Sequence, residues 1–350
     1  MATPEQVLKY QYMTPLINEI LEPPNFLMNS LFMDQEAVHT EDIEIPKVSR
    51  DRIVSPFSRK NGEAVLVQSY NGTSEVVQAP NIRIKIPVKP SEMMKRQPGM
   101  VIYVSRDQHR SSFQQLIDRN AKILRDDIAT AKEYLAAQSL TGQISWSSAE
   151  EYFTITYNRP STHNITLSTF WNDGTLANVR LNANFHTAKR LMSKYGFPLT
   201  DVYLGEEAAD AFIALVEGGY LKPLDIRNVV GGSVTLVNQF DQSGAMYMGT
   251  VAGVNIYEYS RTASVSGTET PMIRSKYAEF VSRVPRAEWK MYYGAILDMD
   301  AFEVNTHVAP IFAKGWTVKD PSCLVLLAHS RPVPVPRRPT ASVSMKVVSG

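Results

Sequence analysis

The most informative stretch of the chain is YYGAILDMDAFEVNTHVAPIFAKGWTVKDPSCLVLLAHSRPVPVPRRP, which occupies residues 292–339. KMYYGAILDM at 290–299 and the apolar run PSCLVLLAHS at 321–330 have the length and composition of β-strands. Four prolines follow, at Pro332, Pro334, Pro336 and Pro339. We predict that this proline-rich tail, residues 331–350, lies along a surface.

The composition of the whole chain excludes several classes of protein. Of the 350 residues, 44% are apolar and 20% are charged, which is ample for a core and indicates one or two folded units. The 36 basic and 35 acidic residues give a net charge of +1, so the chain lacks the overall basic excess of a dedicated nucleic-acid binder, although a local basic face stays open. We find no signal-peptide pattern and no apolar run of about 18 residues, and therefore expect no membrane span.

The first ninety residues predict a short helix followed by β-structure. A helix near 7–21 is broken by two prolines, and the apolar stretch FLMNSLFMD at 26–34 is expected to dock either on the chain's own core or on a neighbouring subunit. NIRIKIPV at 81–88 alternates as a half-buried strand does. The Asn71-Gly72 pair stands between two β-rich runs and predicts a hairpin turn.

The clearest helical pattern covers residues 112–141. Apolar residues recur there at helical spacing, Ser112 with Gln115 fits a capping box, and Gly142 fits a terminating glycine. The charged residues Arg119, Arg125, Lys132 and Glu133, among others, are predicted to form its solvated face. Such a length exceeds the mean of about 11–12 residues for a helix in a globular domain and suits a flattened subunit.

The rest of the chain mixes helices and strands without regular alternation. We predict helices over 176–195 and 206–219 with a buried strand, DVYLG, at 201–205. This pattern favours an α+β fold.

No catalytic or cofactor motif emerges from the sequence. The phosphate-binding, dinucleotide-binding, nucleophile-elbow and zinc-helix patterns are missing, no two histidines lie within five residues, and we expect no cofactor and no metal. Asp298 and Asp300 could form a paired acid site, but a sheet end or a subunit contact is the favoured interpretation. Cys323 is interpreted as an inert core thiol, and His307 and His329 as structural histidines.

The C-terminal quarter resembles the lambda-type major capsid proteins of tailed bacteriophages, the phage capsid protein E family. The resemblance rests on Lys314, Trp316, Asp320 with Pro321, the apolar run 323–327 and the S-x-P-x-P pattern that begins at Ser330. Upstream, FLMNSLFMDQEAVHTEDIEI is similar to the family's arm, IVSPFSRKNGEAV to the start of its extended hairpin, and 112–141 occupies the place of its spine helix.

This resemblance implies the Hong Kong 97-type phage capsid fold. The implied parts are an N-terminal arm at 1–47, an extended hairpin loop at 48–90, a peripheral domain at 91–175 with spine helix 112–141, an axial domain at 176–300, and a return to the peripheral domain with the C-terminal tail at 301–350. A nearly neutral chain suits a shell around packed DNA, because a strongly basic wall would bind the genome tightly.

The implied function is self-assembly into pentamers and hexamers of an icosahedral head around double-stranded DNA. The implied partners are a scaffolding protein, a portal protein and a decoration protein, with non-specific contact to packaged DNA, and packaging is expected to drive expansion of a precursor shell. The candidate subunit-interface residues are Phe26, Phe32, Lys60, Asn71, Gly72, Arg119, Arg125, Lys314, Trp316 and Asp320.

Two alternatives stay open at this point. An encapsulin-like nanocompartment shares the fold but encloses cargo protein instead of DNA. A metal-free enzyme would need a site assembled from dispersed residues, with Asp298 and Asp300 as its first candidates.

Overall fold

The computed structural model describes residues 8–49, 71–91, 106–147, 152–173, 181–217, 239–240, 244–251, 253–265, 267–284, 289–303 and 308–350. Its helices are α1 Tyr10–Glu19, α2 Phe26–Ser30, α3 Arg106–Ser139, α4 Leu181–Lys194, α5 Glu206–Glu217 and α6 Met299–Glu303. The strands of the first half are β1 Asp34–Ala37, β2 Asp42–Ser49, β3 Asn71–Gln78, β4 Ile82–Val88, β5 Gln143–Ser147, β6 Tyr152–Thr156 and β7 Asn164–Thr166.

The strands of the second half begin after α4. They are β8 Asp201–Leu204, β9 Gln239–Phe240, β10 Met246–Val251, β11 Val254–Glu258, β12 Thr262–Val265, β13 Thr268–Pro271, β14 Tyr277–Val281, β15 Trp289–Tyr293, β16 Phe312–Val318, β17 Cys323–Ser330, β18 Pro332–Pro336 and β19 Ser342–Lys346. The predicted strands at 81–88, 201–205 and 321–330 are confirmed, whereas the strand predicted over 290–299 ends at Tyr293.

Helix α3 is the longest element and connects three apolar cores. Its 34 residues span about 50 Å at about 1.5 Å per residue. Ile117, Leu124 and Ile128 pack in a core with α1, β4, β16 and β17. Leu135 enters a second core under β2, β3, β5 and β6, and Leu140, just past the helix end, enters the largest core.

The ends of α3 differ in how well the sequence predicted them. The helix begins at Arg106, so Ser112 lies inside it and the capping box predicted at Ser112 and Gln115 is wrong. Gly142 adopts the left-handed conformation, with φ of +86°, as the terminating glycine was predicted to do. A Cβ at this position would lie 2.9 Å from the Arg159 side chain, so packing as well as conformation favours glycine here.

The largest core surrounds a seven-stranded mixed sheet in the order β7-β19-β14-β8-β11-β10-β9. Phe185 of α4 packs edge-on against Phe280 of β14, with ring centroids 5.3 Å apart. Phe26 of α2 packs edge-on against Tyr203 of β8 at 5.2 Å. Val202, not Tyr203, pairs with Phe280, and because neighbouring residues of a strand point to opposite faces, α4 and α2 cover opposite faces of the sheet.

Phe26 and Phe32 therefore lie in the chain's own core, which corrects their prediction as subunit-interface residues. Phe26 is only 4% exposed, and Phe32 is fully buried with its ring edge-on to Trp289 at 5.6 Å. Of the two docking sites considered for FLMNSLFMD, the chain's own core is the one observed. Both rings are covered within a single subunit, so they offer no surface to a neighbour.

The C-terminal tail is also buried, and its predicted position along a surface is wrong. All five residues of β18 are buried, and β19 lies inside the seven-stranded sheet between β7 and β14. β18 is an edge strand that pairs with β15. Because alternate residues of a strand direct their N–H groups to opposite edges, prolines at every second position can all face the unpaired edge, so their missing donors cost no ladder hydrogen bond.

Arg125, Lys132 and Glu133 lie on the inner side of α3, which corrects their prediction as a solvated face and Arg125 as an interface residue. Arg125 is 8% exposed, and its guanidinium donates to the Ile17 carbonyl at 3.0 Å and pairs with Glu22 at 3.0 Å. Lys132 pairs with the same carboxylate. Burial lowers the pKa of Lys132, and the neighbouring Glu22 opposes this shift.

Glu133 caps helix α2 from a distance of more than one hundred residues along the chain. Its fully buried carboxylate accepts the backbone N–H groups of Leu27 at 2.7 Å and Met28 at 3.0 Å, and the Tyr259 hydroxyl at 2.9 Å. These are orphan donors in the first turn of α2, a position where a negative charge is favoured. Burial raises the pKa of Glu133, and the three hydrogen bonds oppose that shift. We call Glu22, Arg125, Lys132 and Glu133 the polar clamp.

Replacement of Glu133 by Leu is expected to lower the free energy of unfolding by about 3 kcal/mol. The variant leaves two buried N–H donors and one buried hydroxyl without an acceptor, and each such loss costs about 1–3 kcal/mol. Small movements of the first turn of α2 offset part of this cost. Urea denaturation of the unassembled subunit measures the change. Asp127→Asn, at an exposed position of the same helix, is the control and should stay within about 0.5 kcal/mol of wild type. Equal stabilities of the two variants would contradict this role of Glu133.

His329 is expected to make the subunit sensitive to acid. It is fully buried in β17 and hydrogen-bonded to the Asn81 side chain. Burial, together with the charges of Arg83 and Arg331, lowers its pKa to about 4. The unfolded chain takes up this proton below about pH 6.5 while the folded chain does not, so stability falls by roughly 3 kcal/mol between pH 6.5 and 4.

His329→Gln is expected to flatten this part of the stability profile relative to wild type. Urea midpoints measured across the pH range test it. The control is His186→Asn at an exposed position of α4. Parallel profiles for wild type and His329→Gln would show that His329 does not carry the effect.

Candidate subunit interface

The hairpin predicted across Asn71 and Gly72, between the β-rich runs on either side of this pair, is wrong, because β3 pairs instead with β2. Both residues of the pair belong to β3, where Asn71 pairs with Ser49 and Gly72 with Val48 of β2. The turn prediction is therefore wrong, because the ladder between β2 and β3 continues through the Asn-Gly pair. The two strands are joined through residues 50–70, and Lys60 lies in that stretch, outside the described residues.

Lys314 and Trp316 lie together on β16 and line one groove of about 500 Å³ with Tyr10, Arg83 and Asp300. Trp316 is 39% exposed. The Lys314 ammonium lies 2.7 Å from Asp298 and 2.6 Å from Asp300. Burial alone would lower the pKa of Lys314, but the hydrogen bonds and charges of the two aspartates outweigh burial and raise it.

The pair Asp298 and Asp300 is arranged as a structural cap. The Asp298 carboxylate is almost fully buried and accepts the Asp300 N–H at 3.1 Å at the start of α6. The spacing expected for two residues on one strand face is not found, because the strand ends at Tyr293. Asp298 pairs with Lys314 of β16 and with Arg83 of β4, and this ion cluster agrees with the favoured structural interpretation of the pair.

The other candidates do not converge on this groove. Arg119 is exposed on α3, and Asp320 is exposed in the turn between β16 and β17, before a cis bond to Pro321. Cys323 is half-buried at the start of β17 rather than in the core. The candidates whose side chains the structure describes are thus divided between the core and separate parts of the surface.

A second groove, of about 440 Å³, lies between the hairpins β2–β3 and β5–β6. We call it the edge groove; its lining comes from Val76–Asn81 and Phe153–Thr156, with Glu41, Leu297 and Arg331. Each hairpin forms a two-stranded sheet, so among the described residues β3 and β6 each leave one edge unpaired. The sequence analysis did not predict this groove. The one feature that pointed to it is the strand-like run YFTIT at 152–156, next to which the sequence offers a single partner strand.

The backbone of β6, which lines the edge groove, has hydrogen-bonding groups that face away from β5. The Tyr157 N–H donates to the Gly142 carbonyl on the β5 side at 3.0 Å. In an antiparallel ladder the direction alternates by residue, so the N–H and C=O groups of Thr154 and Thr156 face away from β5. Val76 is 57% exposed and Leu297 is 41% exposed at the same groove. An open strand edge beside exposed apolar side chains is a template for pairing with another chain.

The described residues hold no group of three or more His, Cys, Asp or Glu side chains that could bind a metal ion. None of the helices in the described ranges combines the length and apolar character needed to cross a bilayer.

Comparison with known proteins assigns the fold. The chain is similar to a prophage protein of E. coli CFT073 assigned as a capsid protein, with a TM-score of 0.71 and 16% identity over 97% of this chain and 99% of that one. A phage-related protein of Bordetella bronchiseptica RB50 aligns with a TM-score of 0.53 and 12% identity over 96% of both chains. An encapsulin of Synechococcus elongatus PCC 7942 aligns with a TM-score of 0.49 and 10% identity over 100% of this chain and 93% of that one.

The family assignment rests on the sequence. No curated protein sequence matches the chain. The family model described as phage major capsid protein E matches residues 9–347, nearly the whole chain, and the fold is the Hong Kong 97-type capsid fold expected from the resemblance. The chain therefore belongs to the phage major capsid protein E family, whose members build the shell of the phage head.

Proposed function

We propose that this capsid protein assembles as pentamers and hexamers into an icosahedral shell around double-stranded DNA, and that neighbouring copies are joined through the edge groove. A scaffolding protein, a portal protein and a decoration protein are its proposed further partners, and assembly takes place in the host cytoplasm. The observation that carries the proposal is that β3 and β6, which line one groove, each have an edge without a strand partner in the part of the chain that the structure describes.

The proposed occupant of the edge groove is an extended segment of a second copy of this chain. A strand placed between β3 and β6 would join two hairpins that already share one apolar core, through Ile43 and Val77 on one side and Ile155 on the other. Main-chain hydrogen bonds would supply affinity, while Val76 and Leu297 would cover alternate side chains of the added strand. A second copy is the favoured occupant because a shell is built mainly from contacts between copies of the same chain.

The double variant Thr154→Pro, Thr156→Pro is expected to weaken assembly without unfolding the subunit. It removes two outward N–H donors per contact, while the ladder to β5 keeps its own donors at residues 153, 155 and 157. At about 1 kcal/mol net for a hydrogen bond, we expect at least a tenfold higher protein concentration at the onset of assembly. Sedimentation velocity and negative-stain microscopy measure the assembled fraction.

The matched control is Thr154→Val, Thr156→Val, which changes the side chains but keeps the backbone donors. It should assemble as wild type does. Circular dichroism establishes that the proline variant is folded. A folded proline variant that assembles at the wild-type concentration would exclude the edge groove as a contact.

Microscopy of the protein expressed with and without its neighbouring genes tests the assembly proposal as a whole. Closed shells, or curved sheets and tubes of the same capsomers, are the expected products. Small discrete oligomers in both preparations would overturn it. A neighbouring terminase and portal gene fits the phage head, whereas a neighbouring cargo enzyme fits the encapsulin-like alternative.

We propose further that the chain has no catalytic role. The polar groups of Asp298 and Asp300 are engaged by Lys314 and by the start of α6. The conservative double variant Asp298→Asn, Asp300→Asn should therefore give shells that package DNA as wild type does. If the double variant formed normal shells that failed in a later step of head formation, the absence of a catalytic role would be contradicted. Asp298 and Asp300 would then again be candidates for an acid site.

A further inference from the structure

Charge is distributed unevenly along this nearly neutral chain. Residues 181–200 and 321–350 together contain seven Lys and Arg and no Asp or Glu. Helix α5 has the opposite composition, with Glu206, Glu207, Asp210 and Glu217 and no basic residue. The net charge of +1 therefore conceals a separation of positive and negative charge between elements of the same subunit.

The fold brings the two basic segments together. Helix α4 packs against β19. The Arg338 guanidinium lies over the ring of Phe197, which follows α4, at 5.7 Å from its centroid. The ring of His163 lies 5.5 Å from that of Tyr195, and its Nδ1 is 2.9 Å from the Ser342 carbonyl oxygen, which ties the end of α4 to the start of β19.

We call Arg190 and Lys194 of α4, together with Arg337 of the packed C-terminal segment, the basic face. Arg190 and Lys194 are exposed on α4, and Arg337 is half-buried. Within the described ranges, no carboxylate pairs with Arg190, Lys194 or Arg337. Three cations that have no carboxylate partner among the described residues, in two adjacent segments without acidic residues, are typical of a surface that binds a polyanion.

The side chains around the cations favour nucleic acid over protein as the partner. Tyr195 is the single large apolar side chain of these two segments, within the described residues, that is substantially exposed. Protein interfaces need an apolar centre in addition to charge, whereas phosphate contacts need arginine, lysine and small polar groups. The guanidinium groups can bind phosphate oxygens in pairs.

We propose that the basic face contacts the phosphate backbone of packaged double-stranded DNA and is directed toward the interior of the shell. The inference rests on the proposed function, and it adds the surface and the residues that hold the DNA. With about three phosphates neutralised per subunit, the contact is weak for one copy and independent of base sequence. Repetition over the shell makes it collectively strong.

The test compares duplex DNA binding by unassembled wild type and the triple variant Arg190→Gln, Lys194→Gln, Arg337→Gln. Fluorescence anisotropy with a random-sequence duplex is measured over a range of NaCl concentrations. Loss of three phosphate contacts is expected to reduce the slope of log K against log salt by about 2–3, and to lower affinity at least tenfold at low salt. The control variant Lys85→Gln, Lys89→Gln, Lys122→Gln removes the same charge from exposed positions elsewhere and should keep the wild-type slope.

Closed shells provide the second arm of the test. DNA added from outside should not bind wild-type closed shells, although it binds the unassembled subunit. Equal slopes for the two triple variants would overturn the DNA contact, and binding by closed shells that the basic-face variant abolishes would overturn its inward direction. If the basic-face variant alone fails to assemble, the surface binds an acidic face of a second copy and the proposal is wrong. Failure of wild type to assemble would instead count against the proposed function.

Discussion

The buried carboxylate of Glu133 holds the N-terminal segment to the long helix, and the arrangement of the subunit depends on that bond. By capping α2 it fixes Phe26 over the large sheet and Phe32 against Trp289. Arg125 and Lys132 hold the chain before α2 through Glu22. A buried charge is tolerated only when its hydrogen bonds are satisfied. The polar clamp therefore stabilises the N-terminal segment in one position and disfavours others.

The sequence predicted the elements whose pattern is local. NIRIKIPV alternates because Ile84 and Ile86 face the core under β17, and the helical spacing of α3 follows from Leu124 and Ile128. Charged residues of the same helix were misplaced because their partners lie more than one hundred residues away in the chain. For Arg125 and Glu133, no local pattern distinguishes a solvated charge from a buried one whose partner comes from another element.

The same limit explains why the tail and the edge groove could not be predicted. Prolines at alternate positions are compatible with a buried edge strand, but only the pairing of β18 with β15 reveals which edge their missing donors face. Unpaired strand edges are properties of the assembled sheet, so β3 and β6 become recognisable as edges only once their neighbours are known. The resemblance to a capsid family identified the fold, whereas three of the ten residues proposed from it as contacts, Phe26, Phe32 and Arg125, are buried within the subunit.

Two levels of organisation follow from these contacts. Three cores threaded by α3 are complete within the subunit, whereas the outer edges of β3 and β6 have no strand partner among the described residues. A shell protein needs that division, because contacts completed inside the subunit cannot also drive assembly. The near-zero net charge follows the same logic. A wall that was basic throughout would bind the genome too tightly. A few cations per copy neutralise only a few phosphates each, so the affinity of the shell for DNA depends on the salt concentration and on the number of copies.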